Sequence, residues 1–328
     1  MIRGARPAAH PGAGRPRGSG SGRFRLVGGL TAFVLVLSVA CGSGGDGGDS
    51  SGGAGLRSTT PDAVGGPAAV PTSLPPADCP AGPPDRLVPQ VLAEHPHDPT
   101  AFTQGLLFVD GEVVEGTGLV GRSSVRRVDL ATGEVRSSVP VPGGEFGEGV
   151  ARAADGRFVQ LTWRDGVAFV RDPTTLEVVE TWPYEGEGWG LTTLSDGTFV
   201  QSDGSDTLTL RDATTFAPLE RVRVVRSDGP ADQLNELEWD GTSLWANRWQ
   251  ADEILRIDLR CGRVDAVVDV TALSEDVRAR PVPEGLQPPE VLNGVAHVPG
   301  TDRFLITGKL WPVLHEVRLV PVGSGSPR

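Results

Sequence analysis

The chain has 328 residues and a formal net charge of −12, with 38% hydrophobic and 5% aromatic residues. This length allows one large domain or two ordinary ones. The acidic balance repels nucleic acid and anionic lipid, so it argues against a function that depends on binding polyanions.

Residues 1–40 have the composition of an export signal. Residues 1–25 contain six arginines and no acidic residue, and the 15 residues 26–40 are almost wholly apolar. That run is shorter than the roughly 20 residues of a membrane-spanning helix, and the order of basic, apolar and small residues is typical of a signal peptide. Cys41 follows small residues, as in the lipobox of a bacterial lipoprotein, although Ser38 stands where Leu is usual. We therefore expect an extracytoplasmic protein that is lipidated at Cys41 and anchored to the cell membrane; ordinary signal cleavage or an N-terminal anchor is the alternative.

Residues 41–84 are rich in Gly, Ser, Pro and Ala and contain almost no large apolar side chain. Such a segment cannot bury enough surface to offset the entropy of ordering. We therefore expect a flexible tether over 41–84 and one folded domain over 85–328.

Removal of residues 1–40 takes away six arginines and no acidic residue, which leaves a net charge of −18. In an oxidising compartment Cys79 and Cys261 could form a disulfide, or they could stay separate thiols.

From residue 85 onward apolar residues alternate with polar ones, a period of two that is typical of β-strands. Asp-Gly turns separate these segments, and such a turn between apolar runs predicts a β-hairpin because Gly tolerates positive φ. Four Asp-Gly turns, 45, 41 and 44 residues apart, and a fifth related turn are Asp110-Gly111, Asp155-Gly156, Asp196-Gly197, Asp240-Gly241 and Gly300-Thr301-Asp302.

A second marker recurs at a similar interval. Asp129, Asp172, Asp212 and Asp258 each begin a turn, and they are 43, 40 and 46 residues apart. A unit of about 40–45 residues with about four strands has the length of one propeller blade. We therefore predict an all-β fold, a five-bladed β-propeller. Its last blade has room for about three strands, and residues 86–95 supply a fourth, so that an N-terminal strand closes the ring. A helical period is convincing at most over 270–280.

Two rare residue types mark particular segments. Of 30 basic residues, Lys309 is the one lysine, so a compact ammonium was kept where the chain otherwise uses arginine. The chain has three asparagines, Asn235, Asn247 and Asn293, and each lies in or beside a predicted strand between apolar residues. Because Asn is usual in turns, these positions favour a role other than turn formation.

The seven tryptophans are distributed over several predicted blades. Four of them are expected to pack between blades: Trp182, Trp239, Trp245 and Trp311. The other three lie near Gly or polar residues at strand ends and predict an aromatic pocket around the axis: Trp163, Trp189 and Trp249. Three Gly-rich segments with embedded polar groups are expected to be turns: FTQG (102–105), FGEG (146–149) and EGWG (187–190). Glycines flank Glu148 in FGEG, where they allow close approach of the backbone and leave the carboxyl uncrowded. A surface turn explains FGEG about as well.

These segments, in this order, resemble the glutamine cyclotransferase family. The matching stretches are FTQGLLF (102–108), EGTGLVGRSSVRRVDLATGEV (115–135), FGEGVA (146–151), LTW (161–163), GEGWGLTT (186–193), SDGSDTL (202–208), LNELEWDGTSLWANRWQ (234–250), VLNGVAH (291–297) and TGKLWP (307–312). Together they extend from about residue 91 to residue 320. The resemblance implies a five-bladed propeller that converts N-terminal glutaminyl residues of peptides and proteins to pyroglutamyl residues, with release of ammonia.

The same resemblance implies the site. Its acid–base group falls on Glu148, and its pocket residues fall on Phe102, Gln104, Phe146, Trp163, Trp189, Asn235, Trp249 and Lys309. It implies no cofactor and no catalytic metal, and the five histidines show no spacing typical of a catalytic zinc site. The expected partners are peptides or proteins with an N-terminal glutamine.

Two other classes of function remain open from the sequence. A non-catalytic, extracytoplasmic binding propeller would explain the predicted fold, tether and anchor. A lactonase-like hydrolytic propeller would need a central calcium ion held by Asp, Asn and Glu side chains. The residues that could be taken for such a set are Asn235, Glu236, Glu238, Asn293 and Asp203.

Overall fold

The computed structural model of the chain describes Cys79 and residues 82–323. The predicted export signal (1–40), Cys41 and nearly all of the predicted tether (41–84) lie outside the described residues. In the part that is described, no helix is both long and apolar enough to cross a membrane.

The regular secondary structure of the described chain is almost entirely β-strand. The strands are β1 (Asp85–Pro96), β2 (Thr103–Val109), β3 (Glu112–Thr117), β4 (Ser124–Val128), β5 (Val135–Pro140), β6 (Gly147–Arg152), β7 (Phe158–Thr162), β8 (Val167–Arg171), β9 (Val178–Pro183), β10 (Leu191–Thr193), β11 (Phe199–Gln201), β12 (Thr207–Arg211), β13 (Pro218–Arg223), β14 (Val225–Arg226), β15 (Gly229–Pro230), β16 (Leu234–Trp239), β17 (Leu244–Arg248), β18 (Glu253–Asp258), β19 (Arg263–Asp269), β20 (Leu292–His297), β21 (Arg303–Gly308) and β22 (Val313–Pro321). A 3-10 turn (Pro142–Gly144) follows β5. One α-helix, α1 (Thr271–Ala279), buries Leu273 and Val277 and lies within 270–280, the segment where the sequence allowed a helical period.

The strands pair as successive antiparallel runs of four. Runs β2–β5, β6–β9 and β10–β13 are separate sheets. Run β16–β19 and the run β20-β21-β22-β1 belong to one larger sheet, because β1 and β19 share a short parallel contact with Leu87 opposite Val268. Strand β1 pairs antiparallel with β22 from Leu87 to Pro96. The small hairpin β14–β15 attaches to β19.

The first strands of the runs surround a common centre. In the described part of the chain, β2 contacts β6, β6 contacts β10, β10 contacts β16, β16 contacts β20, and β20 contacts β2 again. Clusters of buried apolar side chains lie between successive runs in the same cyclic order. The fold is therefore propeller-like.

Four tryptophans fill these clusters, as predicted. Trp182 of β9 stacks on Phe216 with ring centroids 5.6 Å apart. Trp245 and Trp311 lie in the cluster between the last two runs, and Trp239 packs half-buried against the cluster before it. Aromatic side chains of this size supply much of the apolar area that holds neighbouring sheets together.

The predicted turns connect strands as expected. Each of the four predicted Asp-Gly turns joins the first and second strands of a run, and the glycines have φ of 85° (Gly111), 91° (Gly156 and Gly197) and 98° (Gly241). The second marker joins the third and fourth strands, and its aspartates accept backbone N–H groups of the turn, as Asp172 does from Thr174 at 2.9 Å. The local hairpin predictions are confirmed.

A disulfide joins Cys79 to Cys261, which follows β18, with Cα atoms 5.7 Å apart. The two residues are 182 positions apart in the sequence. The covalent bond therefore fixes the segment before β1 to the run β16–β19.

Candidate active site

Irregularities in the first strands place polar residues at the centre of the molecule. The pairing register shifts at Gln104 in β2, at Glu148 in β6, at Asn235 in β16 and at Asn293 in β20. Such a bulge removes a residue from the regular ladder and re-aims its side chain, which is why bulges are common next to active sites. All four side chains are buried. The sequence-based placement of Gln104 and Glu148 in Gly-rich turns is wrong, because both lie within strands.

Glycines let these strands approach one another closely. A Cβ added to Gly105 would lie 2.5 Å from the Val150 nitrogen on β6, and one added to Gly149 would lie 2.6 Å from the Leu191 nitrogen on β10. One added to Gly190 would collide with the Asn235 carbonyl on β16. Only a residue without a side chain fits between backbones at these distances.

A chain of hydrogen bonds leads to Glu148. The Asn293 side-chain N–H group donates to Gln104 Oε1 at 3.1 Å, and Gln104 Nε2 donates to Glu148 Oε1 at 3.2 Å. Burial raises the pKa of Glu148 well above its usual value, the nearby Lys309 charge opposes that rise, and the Glu187 carboxylate adds to it. Glu148 can therefore hold its proton to a higher pH than an exposed carboxyl does.

Lys309 follows β21 and is 5% exposed. Its Nζ lies 4.8 Å from the centroid of the Phe102 ring, a cation–π contact. Burial lowers the pKa of Lys309, and the charges of Glu148 and Glu290 partly oppose this effect. The arrangement places one buried ammonium close to the buried carboxyl.

Half-buried aromatic rings form a wall beside these polar groups. Phe146 lies between Phe102 and Trp163, with ring centroids 6.1 Å and 5.7 Å away. Trp189 meets Trp249 edge to face at 5.5 Å. The five aromatic residues that the sequence assigned to the pocket therefore form two groups, and the rings within each group are in contact.

Asn235 and Trp189 come from different runs and are linked by a serine. Ser202 Oγ donates to the Asn235 carbonyl at 2.6 Å and accepts from the Gly190 N–H group at 2.7 Å. Asn235, which is 3% exposed, is thus held through its backbone next to the segment that carries Trp189.

The sequence assignment missed two residues that belong to this site. Asn293 begins the hydrogen-bond chain to Glu148, and its rarity in the composition was the available signal. Glu187 accepts hydrogen bonds from the indole N–H groups of both Trp163 and Trp189, at 2.8 and 3.0 Å. A Glu among glycines usually indicates a solvated turn, so its pattern gave no comparable signal.

The residues that could be taken for a calcium site have other partners. Glu236 accepts the backbone N–H groups of Leu106 and Val295, at 3.3 and 2.9 Å, and so bridges three first strands. Glu238 accepts the His297 N–H group at 2.8 Å. Within residues 82–323 and Cys79, no group of three or more His, Cys, Asp or Glu side chains is placed to hold a metal ion.

A separate depression lies where the first strands end. It has a volume of about 310 Å³ and is lined by residues such as Arg152, Glu238 and Asp240. Burial raises the pKa of Glu238 to about 8. None of the side chains around Glu148 lines this depression, so the two features are distinct.

Comparison with known proteins gives consistent matches. The model of the family described as "Glutamine cyclotransferase" matches residues 68–319. The chain is 38% identical over 240 residues to a glutaminyl-peptide cyclotransferase of Arabidopsis thaliana, which covers 72% of this chain and 73% of that protein. The crystal structure of Myxococcus xanthus glutaminyl cyclase is similar with a TM-score of 0.67 and 38% identity, over 73% of this chain and 99% of that one.

Proposed function

This chain belongs to the glutamine cyclotransferase family, and we propose that it closes N-terminal glutamine into pyroglutamate with Glu148 as the group that carries the proton. The observation that supports this role is the buried Glu148 carboxyl, which accepts a hydrogen bond from Gln104 and lies near the Lys309 ammonium. The substrates are peptides and proteins that begin with glutamine.

The reaction needs one proton to move between two nitrogens. The neutral α-amine attacks its own γ-carboxamide carbon, a C–N bond forms, and the amine proton passes to the ionised Glu148. The bond from that carbon to the amide nitrogen then breaks, and Glu148 returns the proton to the nitrogen, which leaves as ammonia. A carboxyl with a raised pKa suits both transfers, because its proton affinity lies closer to that of the reacting nitrogens.

Charge that develops on the carboxamide oxygen needs a donor. Gln104 already donates to Glu148, so it serves mainly to orient that carboxyl. Lys309 and Asn235 are the remaining buried donors of the predicted pocket. A well-placed donor of this kind contributes about 3–4 kcal/mol to the stability of the transition state.

The aromatic wall would hold the substrate in a folded shape. Ring closure requires the amine and the carboxamide carbon to meet within one flexible side chain. Phe146 and Trp163 on one side, with Trp189 and Trp249 on the other, exclude water and restrict that side chain. The remaining peptide would extend away from the pocket, so we expect low selectivity at later positions.

The proton role is tested by Glu148→Gln with Glu185→Gln as the control. Glu185 is an exposed glutamate near the site, and its change removes the same charge. With a peptide that begins in Gln, Glu148→Gln should release ammonia about 10²–10⁴-fold more slowly, while Glu185→Gln should match the wild type. Normal turnover by a correctly folded Glu148→Gln protein would contradict the assignment.

We also propose that the propeller-like fold has five blades and that β1 closes the ring. The cyclic contacts of the first strands and the pairing of β1 with β22 support this reading. Deletion of residues 85–96 should then destabilise the whole domain in a single cooperative transition. If the truncated protein unfolds at the wild-type temperature, β1 does not close the ring.

The N-terminal assignments remain a proposal from the sequence: residues 1–40 direct export, Cys41 carries lipid, and residues 41–84 tether the domain of 85–328 outside the cytoplasm. In a bacterial host that processes lipoproteins, the full chain should partition into detergent, and Cys41→Ser should release it into the aqueous phase. Detergent partition that survives Cys41→Ser would argue for an uncleaved anchor instead.

A further inference from the structure

We propose that Glu187 is a positioning residue that fixes the indoles of Trp163 and Trp189 in the geometry that cyclisation requires. The inference rests on the proposed function, because it takes these tryptophans as walls of the substrate pocket. Glu187 itself need not touch the reacting atoms.

One carboxylate joins two neighbouring runs of strands. Trp163 follows β7 and Trp189 precedes β10, and Glu187 Oε2 accepts a hydrogen bond from each indole, at 2.8 and 3.0 Å. The other oxygen, Oε1, accepts from Arg164 Nε at 2.8 Å. Hydrogen bonds to an ionised acceptor are about twice as strong as neutral ones, so this single side chain fixes two rings.

Glu187 and Trp163 are themselves held in place by further contacts. Gln201 Nε2 donates to the Glu187 carbonyl at 2.9 Å, and the Gly188 N–H group donates to the Trp163 carbonyl at 2.9 Å. The Arg164 guanidinium lies 3.8 Å from the Trp163 ring centroid. Trp163 is thus fixed both at its ring edge and across its ring face.

The charge of Glu187 also reaches Glu148. It raises the pKa of Glu148, whereas Lys309 lowers it. Tyr184 is the other titratable side chain that interacts with Glu148, and its own pKa is raised to about 12, so it stays neutral around pH 7. Removal of the Glu187 charge should therefore lower the pKa of Glu148 and leave Lys309 as the main charged neighbour.

The chain offers a matched control outside the site. Glu180 accepts the Trp182 indole N–H group at 2.8 Å and pairs with Arg157 at 2.8 Å. Arg157 lies 5.7 Å from the Trp182 ring centroid. This group has the same residue types as the Glu187 group, with one indole instead of two, and Trp182 packs in the core between two runs. Glu180→Ala therefore removes a similar anchor without touching the pocket.

The experiment compares Glu187→Ala, Glu187→Gln and Glu180→Ala, with kcat and KM for a Gln peptide, pH profiles and tryptophan emission. Loss of the Glu187 carboxylate should let both indoles reorient, and a misplacement of the substrate by about 1 Å costs about 10²-fold in rate. We expect Glu187→Ala to lose about 10²-fold in kcat/KM, with a changed emission spectrum. Glu187→Gln keeps an oxygen that can accept from both indoles, so it should retain more activity and shift the acidic limb of kcat to lower pH. Glu180→Ala should show wild-type kinetics.

Wild-type kcat/KM for Glu187→Ala, or an equal loss in Glu180→Ala, would overturn the proposal. If Glu187→Ala does not fold, Glu187→Gln decides: loss of the charged acceptor weakens both indole hydrogen bonds, so wild-type kcat/KM together with wild-type tryptophan emission would overturn the proposal. The proton role of Glu148 and the positioning role of Glu187 can fail independently. If Glu148→Gln stays active, the proton role is wrong, but the predicted effects of Glu187→Ala on KM and tryptophan emission still stand. An inactive Glu148→Gln beside a fully active Glu187→Ala would refute the positioning role alone.

Discussion

The close approach of β6 and β10 makes Gly149→Ala a sharp test of how the fold shapes the site. The added Cβ would lie 2.6 Å from the Leu191 nitrogen, 2.7 Å from the Trp189 oxygen and 2.8 Å from the Gly190 carbonyl carbon. All three are backbone atoms, which cannot rotate away as the end of a flexible side chain could. The Gly149 N–H group also donates to the Trp189 carbonyl at 2.7 Å, so the two strands are tied at this point.

The magnitude follows from this overlap. To relieve it, β6 and the segment before β10 must separate by about 0.5–1 Å, and such overpacking costs about 1–3 kcal/mol of unfolding free energy. Glu148 precedes Gly149, and Trp189 lies on the other side of the contact, so the separation moves the carboxyl and the pocket wall apart. A displacement of about 1 Å at a reacting group costs about 10²-fold in rate.

The assay is ammonia release from a Gln peptide, together with urea unfolding of the same samples. Gly82→Ala is the control, because an added Cβ there meets no atom within 4 Å and the backbone is not left-handed. We expect Gly149→Ala to lose activity by about 10²-fold and Gly82→Ala to behave as wild type. Wild-type stability and kinetics for Gly149→Ala would refute the claim that backbone proximity here positions the site.

Three further predictions concern charge, covalent structure and metal. Lys309→Met removes a charge that lowers the pKa of Glu148, so that pKa should rise and the acidic limb of kcat should move to higher pH; an unmoved limb would contradict the coupling. Cys79→Ser opens a cross-link between residues 182 positions apart, so urea unfolding should show a loss of up to about 5 kcal/mol by the loop-entropy estimate, and no loss would contradict it. Treatment with a chelator should leave ammonia release unchanged, whereas a loss that calcium restores would favour a metal-dependent mechanism.

Much of the fold follows from local sequence signals. Asp-Gly pairs specify tight hairpins through the positive φ of glycines such as Gly156, and their regular spacing gives the repeat of four strands. The pairing of β1 with β22 agrees with the strand predicted over 86–95. These features depend on a few adjacent residues or on spacing alone, so a single sequence is sufficient to predict them.

The site depends on contacts that are distant in sequence. The register shifts at Gln104 and Glu148 arise from how each strand pairs with its neighbour, and the local pattern around them indicated turns. The role of Glu187 appears only when Trp163 and Trp189 meet at one carboxylate. Rare residue types helped where composition was extreme, as for Lys309, but a glutamate in an acidic chain has no such signal.

The central claim is that a buried Glu148 with a raised pKa moves the proton during ring closure. The most direct measurement is the pH dependence of kcat at saturating peptide, which reports the groups that titrate in the enzyme–substrate complex. The substrate α-amine is one of these groups, so the limb is assigned to Glu148 by its shift to higher pH in Lys309→Met. As pH falls through the raised pKa, Glu148 becomes protonated and can no longer accept the amine proton, so turnover should fall with an acidic limb well above the usual carboxyl value of 4.5. An acidic limb at that usual value, or none above it, would contradict the account.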